Sequence, residues 1–203
     1  MSGGDTRWNL NIHYHRVFLE AVPSAARTAL DVGCGDGLLT FDLADRGLFV
    51  TGIDPHVPGI ERARSDPRAS ARTEFICGDV FTADLEPASF DVVAASAVLH
   101  HVDARDGLER LKQLVRPGGV IAVVGFGRPD GLRDRVLEVA GAASKQLRIV
   151  QGRYWEHSAP ISWPPPLTTG EMCDLSREVL PGVSFRRLMS NRFSLLWTAP
   201  EAR

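Results

Sequence analysis

The sequence lacks the features that mark secreted, metal-binding or membrane-spanning proteins. Its three cysteines are widely spaced and include no Cys-x-x-Cys pair, so we expect reduced thiols rather than a disulfide framework or a zinc site. The first residues, MSGGDTRWNL, lack the apolar core of a signal peptide. No apolar run approaches the roughly 20 residues of a membrane-spanning helix. We therefore expect a cytoplasmic protein with no membrane partner.

An excess of charge of either sign is also absent. The chain has 203 residues, with 23 Lys and Arg against 25 Asp and Glu, and a formal net charge of −2. This balance provides no overall attraction for nucleic acid or for an anionic membrane. An apolar fraction of 44% is sufficient for a full core at this length. We predict a single domain over residues 1–203.

Apolar runs alternate with helical patterns through the first two thirds of the chain. Nearly continuous apolar strands separated by helices indicate a parallel sheet that is covered on both faces. Strands are predicted at residues 29–32, 48–53, 74–77, 90–95 and 120–126, and helices at residues 10–21, 38–44, 59–65, 104–115 and 132–147.

The last third of the chain departs from this alternation. Residues 148–167, RIVQGRYWEHSAPISWPPPL, are rich in Trp, Tyr and Pro and predict an irregular insertion that covers an acceptor pocket. Thr168 and Glu171 have the spacing of a capping box at the start of another helix. Residues 183–189 and 192–198 then predict an antiparallel hairpin. The fold class is therefore α/β, with a seven-stranded, mostly parallel sheet and helices on both faces.

A glycine-rich turn follows the first predicted strand in the segment ALDVGCGDGLLT. Ligands of parallel sheets bind at the carboxyl ends of the strands, where this turn lies. From Gly33 to Gly37 the spacing is GxGxG, whereas the dinucleotide fingerprint GxGxxG needs a glycine at the position of Leu38. The carboxylate of Asp31 would also repel a diphosphate. The turn therefore favours a ligand with an ammonium group over a nicotinamide dinucleotide.

Five motifs occur in order between residues 25 and 200. They are LDVGCGDG at 30–37, GID at 52–54, GDV at 78–80, FDVVAASAVLHHV at 90–102 and LVRPGGVIAV at 114–123. Together they resemble the class I S-adenosylmethionine-dependent methyltransferases. The resemblance implies a Rossmann-like fold and methyl transfer from S-adenosyl-L-methionine, with S-adenosyl-L-homocysteine as the product. The segments NIHYHRVFLEAVP, WPPPLT and RFSLLWT are similar to a bacterial subgroup that methylates small molecules.

The first two motifs supply the expected contacts to the methionine and ribose parts of the cofactor. Gly33 and Gly35 allow the backbone to approach closely, since a Cβ there would collide with the ligand. Asp31 would attract the ammonium group, directly or through water, and Asp54 would accept both ribose hydroxyls. A plain tight turn for the glycines, a local turn acceptor for Asp31 and a helix N-cap for Asp54 are the alternatives.

The next motifs supply the expected contacts to the adenine and the sulfonium. Asp79 would accept a hydrogen bond from the adenine amino group, and the Val80 amide would meet a ring nitrogen. Pro55 and Val80 would enclose the ring, and the backbone at Ser96 would lie near the sulfonium. Asp79 is equally compatible with a capping role in its loop.

Candidate residues for the acceptor site occur in two places, just after the fourth strand and in the insertion at residues 148–167. His100 and His101 are the candidate catalytic residues, as a general base or as hydrogen-bonding groups for the substrate. Trp155, His157 and Trp163 are candidates for the lining of the acceptor pocket. Ordinary packing and turn capping are the alternatives for the histidines, and plain core packing is the alternative for the aromatic residues.

The amino-terminal segment, residues 1–25, is predicted as a helical lid over the cofactor. Tyr14 is included among the cofactor contacts on this basis. His13 and His15 would point to different faces of a helix, so we expect no metal there.

The acceptor is expected to be a small molecule rather than nucleic acid. The fourth strand is followed by AASAVLHH and not by Asn-Pro-Pro-Tyr, which argues against the exocyclic amines of bases, and no basic RNA-binding module is visible. Two other hypotheses remain open. One is a non-catalytic, methyltransferase-like binding protein, and the other is a nicotinamide-dependent oxidoreductase.

Overall fold

A seven-stranded sheet forms the centre of the computed structural model, which describes residues 9–152 and 164–201. The strands are β1 (Thr28–Val32), β2 (Phe49–Asp54), β3 (Thr73–Cys77), β4 (Phe90–Ser96), β5 (Val115–Phe126), β6 (Ser184–Leu188) and β7 (Arg192–Thr198). Their order is β3-β2-β1-β4-β5-β7-β6. The pairs among β1 to β5 are parallel, and β7 runs antiparallel to both of its neighbours. The predicted fold class is confirmed.

Seven α-helices connect or flank these strands in the described residues. They are α1 (Leu10–His13), α2 (His15–Ala21), α3 (Leu38–Ala44), α4 (Val57–Ser65), α5 (Ala104–Leu114), α6 (Leu132–Val150) and α7 (Thr169–Val179). The predicted capping box is present at the start of α7. None of these helices combines the length and the apolar character that crossing a bilayer requires.

Several predicted helices have different limits in the structure: α4 begins two residues earlier than predicted, α5 ends one residue earlier, and the two largest differences are in the amino-terminal helix and in α6. The predicted helix at residues 10–21 is divided at Tyr14, whose φ of −89° and ψ of 0° interrupt the helical backbone. The α6 helix continues three residues beyond its predicted end at Leu147, because no Gly or Pro occurs between Leu147 and Gly152. These three residues were expected to begin the irregular insertion.

The sheet is buried on both faces. Along β4, Val92 contributes to the core on one face and Val93 to the core on the other, because successive strand residues point in opposite directions. One face packs against α5 and α7, and the other against α1, α2 and α3. Because β1 to β4 are parallel, their carboxyl ends lie along one edge of the sheet, and the predicted cofactor residues are at or just after these ends.

Candidate functional site

The glycine turn between β1 and α3 has a backbone that requires glycine. Gly33, Gly35 and Gly37 have φ values of +69°, +51° and +76°, in the left-handed region that L-residues seldom adopt. A Cβ at Gly33 would lie 2.2 Å from Cγ2 of Val98, in the loop after β4. The Gly33 amide donates to the carbonyl of Ile53 at 2.8 Å. The turn is thus held close to the ends of both β2 and β4.

The carboxylate of Asp54 connects the end of β2 to this glycine turn. Its Oδ2 accepts a hydrogen bond from the Gly35 amide at 2.9 Å, and its Oδ1 accepts one from the His56 amide at 2.7 Å. The second contact holds the backbone just before α4. The N-cap residue of α4 is His56, so the alternative of a helix N-cap for Asp54 is wrong. Each carboxylate oxygen has two lone pairs, so these backbone contacts are compatible with hydrogen bonds to a bound diol.

Asp31 is a buried carboxyl group beneath the turn. Only 1% of the residue is exposed, and its Oδ2 accepts a hydrogen bond from the Thr40 hydroxyl at 2.8 Å. Burial raises the pKa of Asp31 to about 7, and the negative charge of Asp54 adds to this effect, whereas the Thr40 hydrogen bond opposes it. Thr40, in the first turn of the helix that follows the glycines, was not among the predicted site residues.

The end of β3 lies beside the end of β2. The Gly78 amide donates to the Asp54 carbonyl at 3.1 Å. The exposed Asp79 accepts a hydrogen bond from the Phe81 amide at 2.9 Å, which is the capping role considered as its alternative. The Val80 carbonyl accepts one from Nε of Arg110 at 2.8 Å. The adenine contacts of Asp79, Val80 and the exposed Pro55 stay predictions.

The backbone after β4 contains a strained residue that the sequence did not reveal. Ser96 ends the strand half-buried, and Ala97 follows with a φ of +58°, which is unusual for a residue with a Cβ. The Ala97 amide donates to the Val124 carbonyl at 2.7 Å. Such backbone outliers cluster at ligand sites, and this one directs Val98 against Gly33.

His100 and His101 lie in a short 3₁₀-helix, Leu99–His101, just beyond this point. Their ring centroids are 4.0 Å apart, and that of His100 is 5.0 Å from that of Phe126. Burial, together with the nearby charges of His101 and Arg192, lowers the pKa of His100 to about 4. The Nδ1 atom of His100 is buried and has no hydrogen-bond partner among the described residues. His101 is exposed.

Phe126 and Arg192 were not identified from the sequence. The pairing of β5 with β7 places these two residues opposite each other, with the guanidinium carbon of Arg192 4.3 Å from the centroid of the Phe126 ring. Nη2 of Arg192 also donates to the side-chain oxygen of Asn11 at 2.9 Å. This contact depends on the register between β5 and β7, which are far apart in the sequence, so local sequence patterns do not reveal it.

The amino-terminal helices pack against the sheet. Tyr14 is 3% exposed, and its hydroxyl accepts a hydrogen bond from the Met189 amide at 3.2 Å. Nδ1 of His15 lies 2.7 Å from Oδ2 of Asp42. Across residues 9–152 and 164–201 no group of three metal-ligating side chains is found. A cofactor contact for Tyr14 and a lid role for residues 1–25 stay predictions.

The three aromatic candidates for the acceptor pocket, Trp155, His157 and Trp163, lie outside the described residues. Their predicted role is therefore neither supported nor opposed by the geometry.

Comparison with known proteins gives a consistent family relationship. Residues 30–123 match the family model of the methyltransferase domain. An uncharacterized methyltransferase of Mycobacterium tuberculosis is 43% identical over 198 residues, covering 97% of this chain and 99% of that protein. The mitochondrial ubiquinone biosynthesis O-methyltransferase of Schizosaccharomyces pombe is 37% identical over 139 residues, covering 66% of this chain and 49% of the relative.

The fold itself is also found in a solved structure. Phosphoethanolamine N-methyltransferase 2 of Haemonchus contortus, in complex with S-adenosyl-L-methionine, superimposes with a TM-score of 0.68 at 15% identity. The alignment covers 96% of this chain and 53% of that protein. At 15% identity, this similarity shows a shared fold and no more.

Proposed function

The chain belongs to the class I S-adenosylmethionine-dependent methyltransferases, and from this premise we propose that it methylates a small-molecule acceptor by in-line displacement. One observation carries the proposal. The Asp54 carboxylate is hydrogen-bonded to the amide of Gly35, so that an acidic strand end and a glycine turn form one cradle at the edge of the sheet.

The residues of this cradle fit the proposed cofactor. A Cβ at Gly33 would collide with the side chain of Val98, so glycine at this position allows the turn to lie against the end of β4. Asp31 supplies a buried carboxyl group whose ionisation an ammonium group would favour. Asp54 supplies two acceptor oxygens, which suit a diol. When bound, S-adenosylmethionine supplies a methyl group on a positively charged sulfur, which is already activated for transfer.

The contribution of the chain is then mainly to position and enclose the reactants. Placing a donor and an acceptor in line can account for several kcal/mol of the barrier. The strained backbone at Ala97 and the packing of Val98 against Gly33 keep the end of β4 beside the glycine turn. This arrangement would exclude water from the sulfur, which favours transfer of a cationic methyl group.

The two histidines have different roles in this proposal. A pKa of about 4 keeps His100 uncharged at neutral pH and makes it a poor general base, so we assign it a hydrogen-bonding role toward the acceptor. The exposed His101 is the candidate to accept a proton, which is needed only if the acceptor is a hydroxyl or another group of high pKa.

The small-molecule class of the acceptor is supported by the sequence and by one relative. The segment after β4 lacks the Asn-Pro-Pro-Tyr motif, and the Schizosaccharomyces pombe relative is named as an O-methyltransferase of ubiquinone biosynthesis. Retention of all the predicted cofactor residues argues against a non-catalytic binding protein. The glycine spacing argues against a nicotinamide enzyme.

The proposal is tested with the full chain and S-adenosylmethionine labelled at its methyl group. The protein is incubated with panels of small hydroxyl, amine and thiol acceptors, and separately with RNA and DNA. We expect transfer to at least one small acceptor and a loss of at least tenfold in Asp54→Ala at subsaturating cofactor. Transfer to nucleic acid alone, or cofactor binding with no transfer to any acceptor, would contradict it.

A further inference from the structure

Among the described residues, one face of the α6 helix contacts the β6–β7 hairpin. Asp134 forms an ion pair with Arg187 of β6, and Oε1 of Glu138 accepts a hydrogen bond from Nδ2 of Asn191 at 3.1 Å. Gly141 allows close approach, since a Cβ there would lie 1.9 Å from Oγ of Ser190. These contacts fix the orientation of the helix relative to the β6–β7 hairpin.

The opposite face of α6 is an exposed apolar stripe. Its five large side chains are each between 57% and 80% exposed, and they are Leu132, Val136, Val139, Leu147 and Val150. Intervals of three, four or eight residues place them on one side of a helix of about 28 Å. An apolar patch of this extent on a protein surface marks an interaction site more often than scattered single residues do.

The charges beside the stripe are all positive. Arg133 and Arg135 are exposed at its edges. The only acidic residues of α6, Asp134 and Glu138, are on the attached face and have the partners described above. A ligand for this face should therefore combine an apolar surface with negative charge.

A recess adjoins the amino-terminal half of the stripe, next to α7 and β6. Its volume is about 540 Å³, and its lining includes Phe185 and the exposed arginines Arg133, Arg177 and Arg186. Nη1 of Arg177 lies 3.8 Å from Oδ1 of Asp174, and both side chains are largely exposed, so this pair neutralises little of the positive charge. The recess is thus basic, and Arg133, at the edge of the apolar stripe, is the residue of α6 in its lining.

We propose that this stripe and recess bind an acidic amphipathic helix of a partner protein. A helix laid in a groove presents apolar side chains at three- and four-residue intervals, and acidic residues on its flanks would meet the arginines. A second copy of this chain would bring the same arginines to the contact. A flat lipid surface would touch the stripe but would not enter the recess.

The test uses a labelled synthetic peptide of 18 residues with leucines at three- and four-residue intervals and glutamates on both flanks. A matched peptide carries lysine in place of each glutamate. Binding to the full chain is measured by fluorescence anisotropy. We expect the acidic peptide to bind at least tenfold more tightly than the basic one, and increasing salt to reduce this difference.

Variants locate the binding surface. Val136→Ser in the stripe and the double change Arg177→Ala with Arg186→Ala in the recess should each weaken binding of the acidic peptide at least fivefold. Val57→Ser and Arg16→Ala, at exposed positions on other helices, are the controls and should bind as the wild type does. Circular dichroism verifies that each variant is folded.

Three results would overturn the proposal. The first is equal binding of the two peptides, or no binding of the acidic one. The second is a stable dimer in analytical ultracentrifugation that Val136→Ser dissociates. The third is flotation with phosphatidylglycerol vesicles that is lost in Val136→Ser but retained in the recess double variant.

Discussion

Asp31→Asn is expected to stabilise the ligand-free protein and to weaken its binding of the cofactor. Asp31 is almost completely buried, and its Oδ2 accepts the Thr40 hydroxyl hydrogen bond at 2.8 Å. Asparagine has nearly the same shape and keeps an oxygen that can accept this bond. The substitution therefore removes the ionisable group with little change in packing.

The size of the effect follows from the pKa of Asp31. It is about 7 in the folded protein and 3.8 as the ordinary value, so the folded state holds the proton more tightly. The stability associated with this proton is fully present below pH 3.8 and is lost as the pH rises to about 7. At about 1.4 kcal/mol per pH unit, the wild type should lose about 3 kcal/mol relative to Asp31→Asn between pH 5 and pH 8.

Urea unfolding of both proteins at pH 5 and pH 8, without ligand, measures this difference. Calorimetric titration with S-adenosylhomocysteine at pH 8 measures the cost to binding, which we expect to be at least tenfold. A charge-assisted contact to the ammonium group is worth about 1.5–3 kcal/mol. The same pH dependence of stability in both proteins would refute the buried ionisation. Unchanged affinity would refute the ammonium contact.

Three further substitutions test other parts of the site. Asp54→Ala should lower cofactor affinity about tenfold or more in calorimetry and lower the melting temperature, since two backbone amides lose their acceptor; unchanged affinity would exclude the ribose contact. Gly33→Ala should cost roughly 2–5 kcal/mol in urea unfolding, from left-handed strain and the clash with Val98; a cost below about 1 kcal/mol would contradict this backbone assignment. His101→Ala should reduce turnover more than cofactor affinity, and equal losses would indicate a structural histidine.

The sheet was predictable because its signals are local. Nearly continuous apolar runs, such as residues 120–126 between Gly119 and Gly127, identify buried parallel strands. The capping box of Thr168 and Glu171 likewise depends on residues three apart, and the structure contains it. The break at Tyr14 was not predictable, because it depends on packing against the sheet and on the Met189 amide from the far end of the chain.

The acidic residues of the site were predictable, and most of their partners were not. Asp31 and Asp54 stand at strand ends in the sequence, where ligands of parallel sheets bind. That Asp54 accepts the Gly35 amide, and that Thr40 reaches Asp31, depends on how the glycine turn folds back. The juxtaposition of Phe126 and Arg192 depends on strand register between segments 66 residues apart.

The central claim is that the cradle of Gly33, Gly35 and Asp54 holds S-adenosylmethionine. Calorimetric titration of the purified wild-type chain with S-adenosylhomocysteine, and separately with NAD, tests it most directly. The account predicts saturable one-site binding of S-adenosylhomocysteine, weakened at least tenfold in Asp54→Ala, and no binding of NAD. Binding of NAD alone, or no binding of S-adenosylhomocysteine to the folded protein, would contradict it.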